Sequence, residues 1–173
     1  MSLSHWYALT TKPRHERIAA RHLRLKGFEE LAPAYRTRRR WSDRIKEIDE
    51  QIFPGYVFCN FAFEQRLQVL TTPAVTSIVS FGKQAAPVDD SEIAAIRTIA
   101  DSGARARPWP YLRIGQRVRV EDGCLAGLTG ALVRENDFWR VVVNIEILQR
   151  AVAVEIDRDL IRAVDAEPAL ACW

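Results

Sequence analysis

The spacing of apolar residues changes several times along the chain, and each change predicts an element. Trp6-Tyr7-Ala8-Leu9 is a short aromatic run bounded by Thr10, Thr11 and Pro13, the pattern of a strand. Over residues 13–26 the spacing becomes helical. Ile18, Ala19, His22 and Leu25 recur on one side, Pro13 suits the first turn, and Gly27 marks the stop. Arg14, Arg17, Arg21 and Arg24 follow the same period on another side. Residues 30–41 read as a strand, apolar at its start and basic at its end. Residues 42–52 fit two templates, because Ile45, Ile48 and Ile52 have helical spacing while Ile48 and Ile52 also share a strand face. The reading adopted is a turn at 42–45 followed by a strand. Pro54-Gly55 then interrupts, and residues 56–61 form a clear strand. Residues 63–70 predict a short helix and 75–81 another strand. Residues 89–100 predict a helix capped by Asp89 or Asp90, with Ile93, Ile96 and Ala100 on one face.

The resulting order, β-α-β-β-α-β-α, describes an antiparallel sheet flanked by helices over residues 1–102. Residues 102–112 contain Gly103, Pro108 and Pro110 without periodicity and read as a semi-stiff linker, placed at 103–112. From 113 to 165 the character changes. Val118 and Val120 alternate with Arg117 and Arg119, glycines punctuate the chain, and short apolar runs follow at 130–134, 138–145 and 151–156. Short strands with glycine turns predict a small β-barrel. Residues 166–173 form a tail. The fold class is α+β, an N-terminal α/β sandwich joined to the barrel.

Composition narrows the function. The chain has 173 residues, 48% hydrophobic and 27% charged, an ordinary globular balance. No run of about 18 apolar residues predicts a membrane span, and residues 1–7 lack a secretory pattern. Cys59, Cys124 and Cys172 are odd in number and far apart, which suits a reducing compartment and predicts a cytoplasmic protein. The net charge of +3 is unevenly placed. Residues 1–60 carry twelve Lys or Arg against seven Asp or Glu, whereas residues 113–173 carry eight against ten. A basic first third suggests a nucleic-acid contact there. No nucleophile elbow, phosphate loop, dinucleotide fingerprint or zinc-protease motif is present. Cys59 could meet His5 or His15 in space, but its strand parity predicts a core position, where a thiol is inert. His15 and His22 have no partner at ligand spacing, so neither a metal site nor a cofactor is expected. These features predict a non-enzymatic binding protein, expected to be a monomer.

Trp6-Tyr7-Ala8-Leu9, Lys12-Pro13-Arg14-His15-Glu16 and above all Phe53-Pro54-Gly55-Tyr56-Val57-Phe58 resemble the N-terminal (NGN) domain of NusG-type transcription elongation factors. The second half resembles the SH3-like KOW barrel of that family through residues 115–120, Asp122-Gly123 and residues 125–130, and residues 149–156 match its following strand. Arg40-Trp41-Ser42-Asp43-Arg44 and Leu148-Gln149-Arg150 lean toward the specialised RfaH- and UpxY-type antiterminators. The resemblance implies a factor that binds the clamp helices of RNA polymerase through its first domain, suppresses pausing and modulates termination. It also implies a KOW domain that recruits ribosomal protein S10 or Rho, or contacts RNA. The competing reading is a ribosome-associated RNA-binding KOW protein acting in translation.

Tyr56 and Phe58 share one strand parity, and Val57, Cys59 and Phe61 the other. Either Tyr56 and Phe58, with Phe81 and Ile93, form an exposed apolar patch for the polymerase, or all are core; the resemblance favours the patch. Arg36, Arg38, Arg39, Arg40, Arg44 and Lys46 cluster beside Trp41 at a hairpin tip. They would contact the non-template DNA strand of the transcription bubble or form a solvated charged hairpin. Arg14, Arg17 and Arg21 would extend that basic surface or simply face water. Thr71 and Thr72 resemble a loop with which some paralogues touch the opposite polymerase jaw. Ile147, Leu148 and Arg150 match the segment presented to S10, or make an ordinary β-hairpin. Val141-Val142-Val143 favours strand over helix, which predicts a stable barrel free of the first domain.

Overall fold

The computed structural model describes residues 3–110 and 116–164. The chain opens with β1 (Ser4–Thr11), α1 (Glu16–Leu25) and β2 (Glu29–Leu31). A long hairpin follows, β3 (Ala34–Arg40) and β4 (Ile45–Gln51), and then β5 (Tyr56–Ala62). A 3-10 turn at Phe63–Gln65 leads into α2 (Arg66–Leu70) and β6 (Val75–Ile78). The small hairpin β7 (Ser80–Phe81) and β8 (Gln84–Ala85), β9 (Pro87–Val88) and α3 (Asp90–Ser102) close the first half. The second half holds β10 (Ala106–Pro110), β11 (Gln116–Val120), β12 (Thr129–Glu135), β13 (Phe138–Ile145), β14 (Arg150–Ile156) and β15 (Ile161–Ala163). The fold is mixed α and β, with sheet predominating.

The N-terminal sheet runs β2-β5-β1-β6, with β9 also pairing with β1. Its centre is the antiparallel β1–β5 pair, registered from Ser4 opposite Ala62 to Thr10 opposite Tyr56. One face of β5 is fully buried and the other, where Tyr56, Asn60 and Ala62 are half-buried, is closed at Phe58. Val57, Cys59 and Phe61 pack with Ala19, Ala20 and Leu23 of α1 and Val69 of α2. Phe58 lies on the opposite side, in a cluster with Trp6, Phe53, Ile93, Ile96 and Ile99.

Several boundaries differ from the expected ones, each for a local reason. Helix α1 begins at Glu16 rather than Pro13, because Arg14 takes a left-handed φ of 62°. Its buried face is Glu16, Ala19, Ala20 and Leu23, whereas Ile18 and Leu25 are exposed; the two alanines let the helix lie close on the sheet. Gly27, with φ of 87°, ends the helix, and Phe28 N–H returns to Leu23 O at 3.1 Å. Residues 30–41 are two strands, because Pro33 supplies no N–H to continue the ladder. Residues 75–81 are also two strands, split at Val79. In α3 the third buried position is Ile99 rather than Ala100.

The C-terminal sheet is antiparallel and six-stranded, in the order β10-β14-β13-β12-β11-β15. Val118 and Val120 point inward, and Val141 and Val143 join them while Val142 packs with Ala151 and Ala153 on the other side. Residues 106–110, read as linker, pair with β14 from Ala106 opposite Val154 to Pro110 opposite Arg150. The prolines that suggested a linker are compatible with this placement, because β10 is an edge strand whose outer N–H positions need no partner. The expected tail, residues 166–173, lies outside the described residues.

The second half is not free of the first. Val118, Leu128, Val143, Ile145 and Leu148 belong to the same apolar cluster as Phe58, Ile93 and Ile96. The strand character expected of the valine-rich segment is present, but that sheet packs against α3, and its Arg150 lies over Tyr56 beside the face on which Phe58 lies. The apolar area there explains the packing, since leaving it in water costs about 25 cal/mol per Å².

Candidate functional site

The β3–β4 hairpin projects from the N-terminal sheet with a basic strand opposite an acidic one. Arg36 stands opposite Asp49 and Arg38 opposite Glu47 in register. The corresponding ion pairs measure 3.7 and 3.1 Å, and Arg39 pairs with Glu50. Arg17 of α1 reaches Asp49 at 3.0 Å, which ties the helix to the hairpin. Tyr35 donates its hydroxyl to Glu50 at 2.7 Å, and burial together with that bond pushes the phenol up to about 12. The arginines nearer the sheet therefore have carboxylate partners. At the tip the chemistry changes. Among the described residues Arg40, Arg44 and Lys46 make no ion pair, and Trp41 between them is 60% exposed. The turn is closed by Trp41 N–H to Arg44 O at 2.8 Å. An exposed indole among cations has the chemistry to stack on an unpaired base.

The remaining expected nucleic-acid residues are dispersed. Arg14 precedes α1, Arg21 is exposed, and Arg24 pairs with Glu30 beside the helix. Of the two threonines, Thr72 is buried and donates to Gln68 O at 3.0 Å, whereas Thr71 is exposed.

The expected apolar patch is not exposed as a unit. Phe58 is fully buried and Ile93 nearly so, because both belong to the apolar cluster that joins the N-terminal sheet, α3 and the C-terminal sheet. Tyr56 is half-buried, with the Arg150 guanidinium 5.3 Å from its ring centroid. Only Phe81, on the small β7–β8 hairpin, is open to solvent at 67%. Leu148 is buried in the shared cluster, Arg150 lies over Tyr56, and the side chain of Ile147 lies outside the described residues. Residues expected to meet two different partners therefore meet each other.

Glu92 adds a polar contact to this junction by accepting the Glu146 N–H at 3.1 Å. Burial raises its carboxyl above the ordinary value, against the opposing pull of that N–H. Sequence reasoning did not single out Glu92, because one glutamate in a helix carries no periodic signal.

Comparison with known proteins decides the family. Residues 4–97 match the family model described as NusG, transcription termination factor nusG. The chain belongs to the NusG family. Among NusG relatives, the transcription termination/antitermination protein of Pseudomonas aeruginosa is 28% identical over 166 residues, covering 88% of this chain and 94% of that protein. The Escherichia coli K12 protein of the same name is 30% identical over 118 residues, covering 65% of each. A solved structure on domain interaction in Thermotoga maritima NusG covers 94% of this chain and 98% of that one, with a TM-score of 0.53 at 21% identity. It supports the fold. No described helix is long and apolar enough to cross a membrane.

Proposed function

We propose that this NusG-family chain is a cytoplasmic, non-enzymatic transcription elongation factor. Residues 1–102 form the polymerase-binding NGN domain, and residues 113–165, whose sheet β10 joins, form a KOW barrel that recruits a further partner, S10 or Rho. The factor suppresses pausing and modulates termination. The observation that carries this reading is the length of the relationship, 88% of this chain against 94% of a protein named for transcription termination and antitermination. The polymerase clamp helices take the face holding Tyr56, Phe58 and Ile93, so the C-terminal sheet must move off that face first. The hairpin tip, with Arg40, Trp41 and Arg44, meets the non-template strand. The tip sequence Arg40-Trp41-Ser42-Asp43-Arg44 supports a place among the specialised antiterminators.

Single-round transcription with the cognate polymerase, on a template carrying pauses and a terminator, tests the reading. The intact chain is expected to shorten pauses or change read-through, and Trp41→Ala with Arg40→Ala and Arg44→Ala to lose much of that effect while staying folded. Tyr56→Ala is expected to weaken polymerase binding. No effect at saturating protein, with co-sedimentation on ribosomal subunits, would transfer the assignment to translation.

A further inference from the structure

A basic cleft of about 520 Å³ lies between the hairpin and the C-terminal sheet. Arg36 and Arg38 of β3 line one wall. Arg105, Arg107 at the start of β10, and Arg140 of β13 line the other, with Glu155 as the carboxylate in the lining. Arg140 and Glu155 lie 3.8 Å apart, and Arg140 is nearly buried. Arg105 is exposed, and among the described residues no carboxylate pairs with its guanidinium. The Arg107 guanidinium stacks on Trp109, 4.7 Å from the ring centroid, and Trp109 keeps part of its surface in solvent. Five arginines from two sheets thus line one open groove; Arg36, Arg38 and Arg140 each give part of the guanidinium fork to a carboxylate and keep further N–H donors, and Arg105 is exposed.

We infer that in the closed chain, before polymerase is engaged, this cleft binds the phosphodiester backbone of single-stranded DNA, as a continuation of the hairpin tip. Arginine forks match phosphate oxygens in pairs, and several in a row fit a polyanion rather than a single small anion. Trp41 at the hairpin tip is exposed and Trp109 lies against Arg107, and base–aromatic stacking tolerates any sequence. A single strand presents its bases to such platforms, whereas a duplex keeps them stacked inside. The groove requires both sheets, so it exists only while they are packed together. The inference rests on the reading of the tip as a DNA contact and extends it to residues 105–107 and Arg140.

The test is fluorescence anisotropy of the full chain with a labelled single-stranded oligodeoxynucleotide, across a salt series. Arg105→Glu, an exposed position, is expected to weaken binding about fivefold or more and to flatten the log–log salt slope by about 0.7 for each phosphate no longer neutralised. Arg105→Lys is expected to retain most of the affinity. Wild-type binding by Arg105→Glu, with loss in the Arg40→Ala, Arg44→Ala variant, would overturn the cleft and leave the tip standing. Absence of binding by the intact chain at low salt would overturn cleft and tip together, while the transcription assay would still judge the polymerase reading. Tighter binding to an RNA of the same sequence or to an acidic peptide would also overturn it.

Discussion

Burial pushes the Cys59 thiol up to about 12, with Glu30 and Glu29 adding to the effect. The thiolate is the reactive form, so at pH 8 the folded chain should present an inert Cys59. With Cys124 and Cys172 both changed to serine, a thiol reagent is expected to find no reactive group until denaturant is added. Phe58 lies on the other side of the same strand, edge-on to Phe53 with ring centroids 5.7 Å apart. Phe58→Ala should cost about 3–5 kcal/mol, read as a lower denaturant midpoint. It therefore makes a poor probe of polymerase binding, and the half-buried Tyr56 a better one. The strand parity of β5 was legible in the sequence; that Phe58 on the less buried parity is also core was not, because alternation cannot show what packs on each side. The Pro54-Gly55 turn had a comparable hidden partner. The Gly55 N–H donates to the buried Glu16 carboxylate at 2.6 Å, a contact thirty-nine residues apart in sequence that no local pattern encodes.

Elements were legible where local chemistry alone sets them. Asp89 caps α3 by accepting the Ser91 N–H at 2.7 Å. The Ser91 hydroxyl and N–H hold its carboxyl below its ordinary value. A lowered carboxyl stabilises the helix end above its unfolded value and loses that effect as pH falls through the folded one. Amide exchange in the first turn of α3 is thus expected to rise in acid, and Asp89→Asn to remove much of that pH dependence. Elements were illegible where pairing is long-range. Pro108 and Pro110 look like linker residues, and only the neighbouring β14 makes them an edge strand. The same holds for Gly130 on β12. A Cβ there would come within 2.5 Å of Val142 O and 2.7 Å of a Val141 methyl. Gly130→Ala must push β13 away, and overpacking of this kind costs about 1–3 kcal/mol. A lower thermal midpoint is the expected result, with strand content retained.

At the scale of the whole molecule, one junction couples the two proposed activities. On the proposed reading polymerase needs the face beside which the C-terminal sheet packs, whereas single-stranded DNA needs the cleft that the packing creates. Ligands favouring opposite arrangements must weaken each other to the same degree in both directions. The polar part of the junction is small enough to remove without touching either core. Glu92→Ala with Arg150→Ala deletes the bond to the Glu146 N–H and the cation over Tyr56. Together these contribute about 2 kcal/mol, on the order of thirtyfold in the closed-to-open ratio. Backbone nitrogen relaxation on the intact chain is expected to give residues 3–102 and 116–164 a common tumbling time. In the double variant the two should tumble separately for a larger share of the time. The same variant should bind polymerase more tightly and single-stranded DNA more weakly, by similar factors. If tumbling is unchanged, the shared apolar cluster alone holds the sheets together. Opening would then require the polymerase itself to compete for Phe58 and Ile93.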